Sequence, residues 1–313
     1  MSILVTGSIA YDTIMVFPDR FKNHLLPEQL HILNICFLTP EMRREFGGTA
    51  GNIGYNLRLL DEVPILMATV GEDSQPYLER LDGLGIANGQ LKRIDGQFTA
   101  QAFITTDLDD NQITAFHPGA MNFSHENNVT DGLNAKLAIV SPDGKEGMLQ
   151  HARECAQFGI PFMFDPGQGL PMFSSDELKA FVRQADFVAV NDYEGKMLEE
   201  KTGETLQSLA RQVKALVVTL GARGSLVMTD GEQHEIPCVA AEQVVDPTGC
   251  GDAYRAALLH GIAAGWDWPT TARLGAVMGA IKIAHRGGQN HRPSRDEIDV
   301  RFRDAFGYSP WHA

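Results

Sequence analysis

Between residues 135 and 219 the chain alternates short apolar runs with amphipathic stretches, and no other feature restricts its possible folds as much. Leu137–Val140, Ile160–Phe164, Phe187–Val190 and Ala215–Thr219 read as buried strands. Between them, 148–158, 177–184 and 206–213 carry apolar residues at helical spacing. Repeated strand–turn–helix units predict a mostly parallel sheet with helices on both faces. Right-handed crossovers then bring every strand C-terminus to one edge, where such sheets bind ligands. Asp12, Asn191, Gly221 and Asp246 each fall just beyond an expected strand end.

The N-terminal third is less regular. Ile3–Val5 and Pro64–Val70 read as strands, and 53–60 and 77–84 as helices, the first entered through Gly47-Gly48-Thr49-Ala50-Gly51-Asn52. Extended pieces are expected at 14–17 and 31–37. Residues 98–106 and 112–117 form an expected antiparallel hairpin around the polar turn 107–111. Mixed polar and apolar residues there suit a sheet with one exposed face. The expectation is one α/β/α domain over 1–313, with a small β-sheet lid formed by segments at about 13–45 and 95–118.

A chain of 313 residues buries about 75% of its unfolded surface, enough for one large domain with an appendage. Its net charge of −14 argues against nucleic acid or acidic lipid as a partner. No apolar stretch has the length of a membrane span. The N-terminus lacks a basic region and carries Asp12 where a signal peptide would be apolar. Cys36, Cys155, Cys238 and Cys250 show neither a C-x-x-C pair nor zinc-ligand spacing. A reducing, cytoplasmic setting without structural metal is expected.

The chemistry concentrates in Asp246-Pro-Thr-Gly-Cys-Gly-Asp252, followed by the helix-forming stretch 253–264. Gly249, Cys250 and Gly251 are expected to make a tight turn at a helix N-terminus, offering unpaired amides to a phosphate. Asp252 is the natural general base, able to orient an alcohol and accept its proton. The same residues also suit a capped helix with no catalytic duty. Neither G-x-x-x-x-G-K-[ST] nor G-x-G-x-x-G occurs, which removes a Walker loop and a dinucleotide fingerprint.

The segment resembles the C-terminal signature of the ribokinase-like (PfkB) carbohydrate and nucleoside kinases, whose last aspartate is the catalytic base. Four further motifs follow the family order. Gly47-Gly48-Thr49-Ala50-Gly51-Asn52 resembles the N-terminal signature that contacts the sugar, and Asp12 the aspartate that binds sugar hydroxyls. Asn191 and Glu194 resemble the N-x-x-E motif that organises magnesium and phosphate, with Glu194 acting through water; they also suit a solvated helix start. Thr219, Gly221 and Gly224 resemble the T-x-G-x-x-G nucleotide turn, with Arg223 facing solvent. Asp246 and Thr248 match positions that help hold a monovalent cation, K+, to which the loop after Ile283 would add carbonyls; a self-bonded turn is the alternative. Lys282 and His285 fall on the matching nucleotide-side helix and loop, either lining the adenine or phosphate pocket or solvated.

The resemblance implies ATP as phosphoryl donor, Mg2+, and an alcohol acceptor. The Gly-Gly-Thr-Ala-Gly-Asn sequence departs from the Gly-Gly-Lys-Gly-Ala-Asn of ribokinases. With 7–12, 42–47 and 114–121, it is most similar to bacterial members assigned as adenosine kinases, which implies the 5′-hydroxyl of adenosine and a role in purine salvage. Phe116 and His117, at the end of the lid hairpin, would close over base or ribose or pack in the lid core. Ribose, another sugar or another nucleoside stay open as acceptors, as does a catalytically silent binding protein. A monomer and a homodimer are equally compatible with an exposed lid edge.

Overall fold

The computed structural model describes residues 2–24, 35–109, 111–229 and 231–311. Its main sheet has nine strands. From one edge to the other they are β13 (Gln233–Ile236), β12 (Ser225–Met228), β11 (Ala215–Thr219), β10 (Phe187–Asn191), β9 (Phe162–Phe164), β8 (Leu137–Val140), β1 (Ser2–Thr6), β4 (Val63–Val70) and β5 (Leu91–Arg93). All neighbours from β11 to β5 pair in parallel. Only the β11–β12–β13 end is antiparallel.

Because successive strand residues point to opposite faces, each apolar strand serves two cores at once. Ile3, Val5, Ala189 and Val217 pack with α1 (Thr49–Leu59), α2 (Gln75–Gly83) and α7 (Cys250–Ala264). Leu4, Val188, Val190, Leu216 and Val218 pack with α3 (Lys145–Gln157), α4 (Ser175–Gln184), α5 (Asp192–Thr202) and α6 (Leu206–Ala210). A third cluster joins α7, α8 (Trp268–Ile283) and α9 (Arg295–Phe306). This is the expected layered α/β class: a large, mostly parallel sheet between helices, with a smaller separate sheet.

The smaller sheet has the order β3 (Glu41–Gly47), β2 (Ala10–Val16), β6 (Ala100–Thr106) and β7 (Gln112–His117). Strands β6 and β7 form an antiparallel hairpin, whereas β2 and β6 run parallel. Asp12 therefore lies inside a strand of the small sheet rather than in a turn after β1. Asp246 likewise sits ten residues past β13 in an irregular segment. Of the extended piece expected at 31–37, residues 31–34 lie outside the described residues and 35–37 are irregular. The helix expected over 206–213 ends at Ala210, and the β12–β13 hairpin had no counterpart in the sequence reading. Both strands of that hairpin are short and their alternation is weak, so pairing with β11 decides their conformation.

Gly224 turns the chain from β11 into β12 with φ +88° and ψ −134°, a region essentially reserved for glycine. A Cβ there would stand 2.0 Å from the Ile236 carbonyl oxygen. Gly224→Ala is expected to lower stability by at least about 1–3 kcal/mol, read from the midpoint of urea unfolding.

Candidate active site

Helix α7 opens with Gly249 in the left-handed conformation, φ +77°, and has no side-chain cap. Glycine is required there because L side chains rarely adopt this φ, and a Cβ would press to 3.0 Å on the Gly288 Cα. The Cys250 amide donates to the Pro247 carbonyl at 3.1 Å. Cys250 is thus occupied within the turn, and burial pushes its thiol up to about 11. The helix N-terminus beyond it is a natural anion seat. Gly251 is exposed, with open space where a side chain would be.

Asp252 is the third residue of α7, and its Oδ2 accepts from Asn52 Nδ2 at 2.8 Å. Burial raises its carboxyl to about 7; the Asn52 bond and the Arg255 charge oppose this, and the Asp165 and Asp12 charges add to it. Asn52 is itself buried and fixed at both ends, its Oδ1 accepting from Gln289 Nε2 at 3.1 Å. Gln289 also donates to the Tyr77 hydroxyl at 2.7 Å, and Tyr77 donates to the Gly47 carbonyl at 2.7 Å. Arg80 holds Gln289 through its carbonyl at 2.6 Å. One buried chain of bonds therefore links Asp252 to the glycine turn before α1.

That turn lies against Asp12. A Cβ on Gly47 would meet Asp12 Oδ2 at 2.6 Å, and Gly48 crosses the Ser8–Ala10 backbone as closely. Burial, then the charges of Asp246 and Glu45, raise Asp12 to about 6. In the small sheet, Glu45, Asp12, Ala102 and Phe116 occupy one row of paired residues, so all four face the same side. Phe116 is 52% exposed there. His117 belongs to the next row, with Phe46, Tyr11 and Gln101, on the opposite face. The expectation that both would close over one ligand therefore separates: Phe116 shares the Asp12 face and His117 does not.

Beneath Asp252, Arg255 is buried and bidentate to Asp165, at 3.2 Å for both contacts, and lies 3.9 Å from Glu194 Oε2. Removing one partner of such a pair costs about 3–5 kcal/mol because the other charge stays buried. Asn191 and Glu194 form a reciprocal capping box on α5, each side chain accepting the other's amide at 2.8 Å. Glu194 is buried rather than solvated; burial and then the Asp165 charge raise its carboxyl. Thr219 ends β11 with its hydroxyl 3.5 Å from the Val190 carbonyl, and Gly221 follows at φ +58° with open space around it. Arg223 is exposed and paired with Asp192 at 2.9 Å.

Asp246 Oδ1 accepts from the Thr248 amide at 2.9 Å and Oδ2 from the Gly287 amide at 2.8 Å. Burial works against its ionisation, yet these amides and the Lys282 charge hold its carboxyl below the usual range. Lys282 is not solvated. It is fully buried, and its Nζ donates to the carbonyls of Asp246 at 2.7 Å and His285 at 2.9 Å. The His285 ring is exposed, with Nδ1 against the Ile281 carbonyl, and it lines a cavity of about 1120 Å³ between 237–242 and α9. Among the described residues no cluster of three or more His, Cys, Asp or Glu is arranged to hold a metal. Nor, among them, is any helix long and apolar enough to cross a membrane.

Residues 11–295 match the model of the pfkB family of carbohydrate kinases. The chain belongs to that family. A nucleoside kinase of Methanocaldococcus jannaschii is 30% identical over 270 residues, which covers 86% of this chain and 89% of that protein. The structure of a Burkholderia thailandensis nucleoside kinase in complex with inosine is similar at TM-score 0.90 and 52% identity, covering 98% of this chain and 99% of that one. Its complex with ADP-inosine gives TM-score 0.88 and 53% identity, over 98% of this chain and 97% of that one. As a pfkB-family kinase the protein is an ATP-dependent phosphotransferase acting on an alcohol acceptor.

Several residues that shape this kinase site went unread in the sequence. Arg255 had a signal, a lone charge in the apolar stretch 253–264, which has to be paired if buried. Asp165 had one too, standing directly after β9 at the ligand edge. Gln289, Tyr77 and Arg80 had none, because only folding brings them to Asn52. Asn52→Ala removes the bond that lowers Asp252, so its carboxyl is expected to titrate above about 7. Carbon-13 NMR of the aspartate carboxyls, with Asp252→Asn to assign the signal, measures this directly.

Proposed function

We propose that this kinase transfers the γ-phosphoryl group of ATP to the 5′-hydroxyl of a purine nucleoside, taking adenosine and inosine. The observation that carries the reading is Asp252: a carboxyl held by Asn52 at an uncapped helix N-terminus, raised to about 7 and close enough to feel Asp12. A base that titrates near the working pH is suited to accept a hydroxyl proton. The nucleoside acceptor is supported by the half-identical Burkholderia thailandensis relative, whose structures hold inosine and ADP-inosine.

In this reading Asp12, Asn52 and the Gly47–Gly48 turn hold the ribose hydroxyls, and Phe116 stacks on the base from the small sheet. Asp252 orients the 5′-oxygen and takes its proton. The α7 N-terminus at 249–251 stabilises charge on the transferred phosphoryl group. Asn191, Thr219, Gly221 and Gly224 border the nucleotide. The small sheet acts as a lid whose closure excludes water. Glu194, with Oε2 in the helix cap, would help hold magnesium, which would supply neutralisation of phosphate charge.

Product formation from Mg-ATP with adenosine, inosine, guanosine, ribose and fructose tests the acceptor. Turnover of ribose or fructose without turnover of any nucleoside rules the reading out. Asp252→Asn is expected to lower turnover by about 10²–10⁴-fold while largely keeping nucleoside binding. A base acts only when ionised, and Asp252 is raised rather than lowered. Activity of the free enzyme is therefore lost as pH falls through about 7, well above the ordinary carboxylate range. The acid limb of the kcat/KM–pH profile reads this value.

A further inference from the structure

The 246–248 turn and the 285–287 loop approach each other beside the helix that carries Asp252, and Lys282 lies at their junction. Its stem runs from the last turn of α8, and its Nζ rests on two backbone carbonyls, one from each segment, at 2.7 Å and 2.9 Å. The partners are neutral oxygens, yet the side chain is wholly buried. A buried lysine normally finds a carboxylate; here the acceptors are of the kind that coordinate potassium. Burial lowers the lysine's pKa on balance, with the charges of Asp246 and Asp252 acting the other way; the two carbonyl contacts are what hold the ammonium in place.

The same junction is fastened by further bonds. The Val245 and Asp246 amides both donate to the Ile283 carbonyl, at 2.9 Å and 3.1 Å. The Asp246 carboxylate, the expected cation ligand, has one oxygen on the Thr248 amide and the other on the Gly287 amide. A free monovalent cation does not fit this arrangement. The Asp246 and His285 carbonyls already face the Lys282 ammonium, whose charge would repel a second cation at the same oxygens, and each oxygen of the Asp246 carboxylate already accepts an amide.

We propose that the Lys282 ammonium is a built-in monovalent cation, which fixes the Asp246–Cys250 turn and makes added potassium unnecessary for turnover. Lys282 is a positioning residue: it orders the turn that opens α7 without touching a substrate. The inference rests on the chain being a kinase of its family, whichever alcohol it phosphorylates.

The intact protein is melted, and assayed with Mg-ATP and inosine, in potassium chloride and in tetramethylammonium chloride at equal ionic strength. Equal melting temperatures and equal turnover in the two salts are expected. A rise in melting temperature in potassium, or activation by about tenfold, overturns the proposal. Lys282→Ser opens the carbonyl cluster, so this variant is expected to melt lower in tetramethylammonium and to recover in potassium, as mass action requires of a ligand bound only by the folded state. A folded variant that behaves alike in both salts overturns the proposal. If the variant does not fold, the wild-type comparison decides alone. Melting needs no turnover, so failure of the nucleoside reading and failure of this one are separately visible.

Discussion

The constraint on which this structure depends is the concentration of negative charge at one edge of a parallel sheet. Asp12, Asp165, Glu194, Asp246 and Asp252 all meet there; on top of burial, Asp12 is raised by the charge of Asp246, Glu194 by that of Asp165, and Asp252 by those of Asp165 and Asp12. ATP would bring further negative charge to the same place. Such a cluster survives only where cations and amides are fixed against it. Arg255 answers Asp165 and Glu194, Lys282 lies beside Asp246, and backbone amides occupy both Asp246 oxygens. At Asp252 burial dominates, and with the Asp165 and Asp12 charges adding to it the Asn52 bond and Arg255 leave the carboxyl at about 7.

Positions of the chemical groups follow from elements that meet at that edge. Helix α7 presents Asp252, α1 presents Asn52, and the small sheet carries Asp12 and Phe116 on one face. These groups are not independent, because Gln289 and Tyr77 join the α1 turn to the loop after α8. A shift of that loop would move both the base and the turn holding Asp12. Rigid coupling of this kind suits a reaction whose catalysis is mostly positioning and electrostatic stabilisation.

Much of the fold was legible because burial on both faces leaves strands as continuous apolar runs. Leu137–Val140 and Ala215–Thr219 stood out for that reason. Strand β13 did not, since an edge strand carries mixed residues such as Gln233, His234 and Glu235, and β12 is a run of only four residues, Ser225–Met228. In the site, Asp252 and the turn before it were legible from glycine spacing and the following helix. Asn191 and Glu194 were legible as a helix start, and they form a full capping box as well as facing Arg255. The burial of Lys282 was not legible: a lysine near a helix C-terminus usually reaches solvent, and nothing local marks one whose ammonium turns inward. Phe116 and His117 looked equivalent because adjacent strand residues differ only in face, and the face is set by pairing.

The sequence by itself determined the layered α/β class, the glycine turn at the head of α7 and the candidate base, because periodicity, turn chemistry and helix propensity act over a few residues. Tertiary structure alone decided which side chains hold that base and where the compensating charges go. Asn52 and Asp252 are separated by 200 positions, and Asn52 and Gln289 by 237. Their contacts exist only once the sheet has brought distant loops to one edge, where burial makes every unpaired charge costly and leaves each group a single favourable partner.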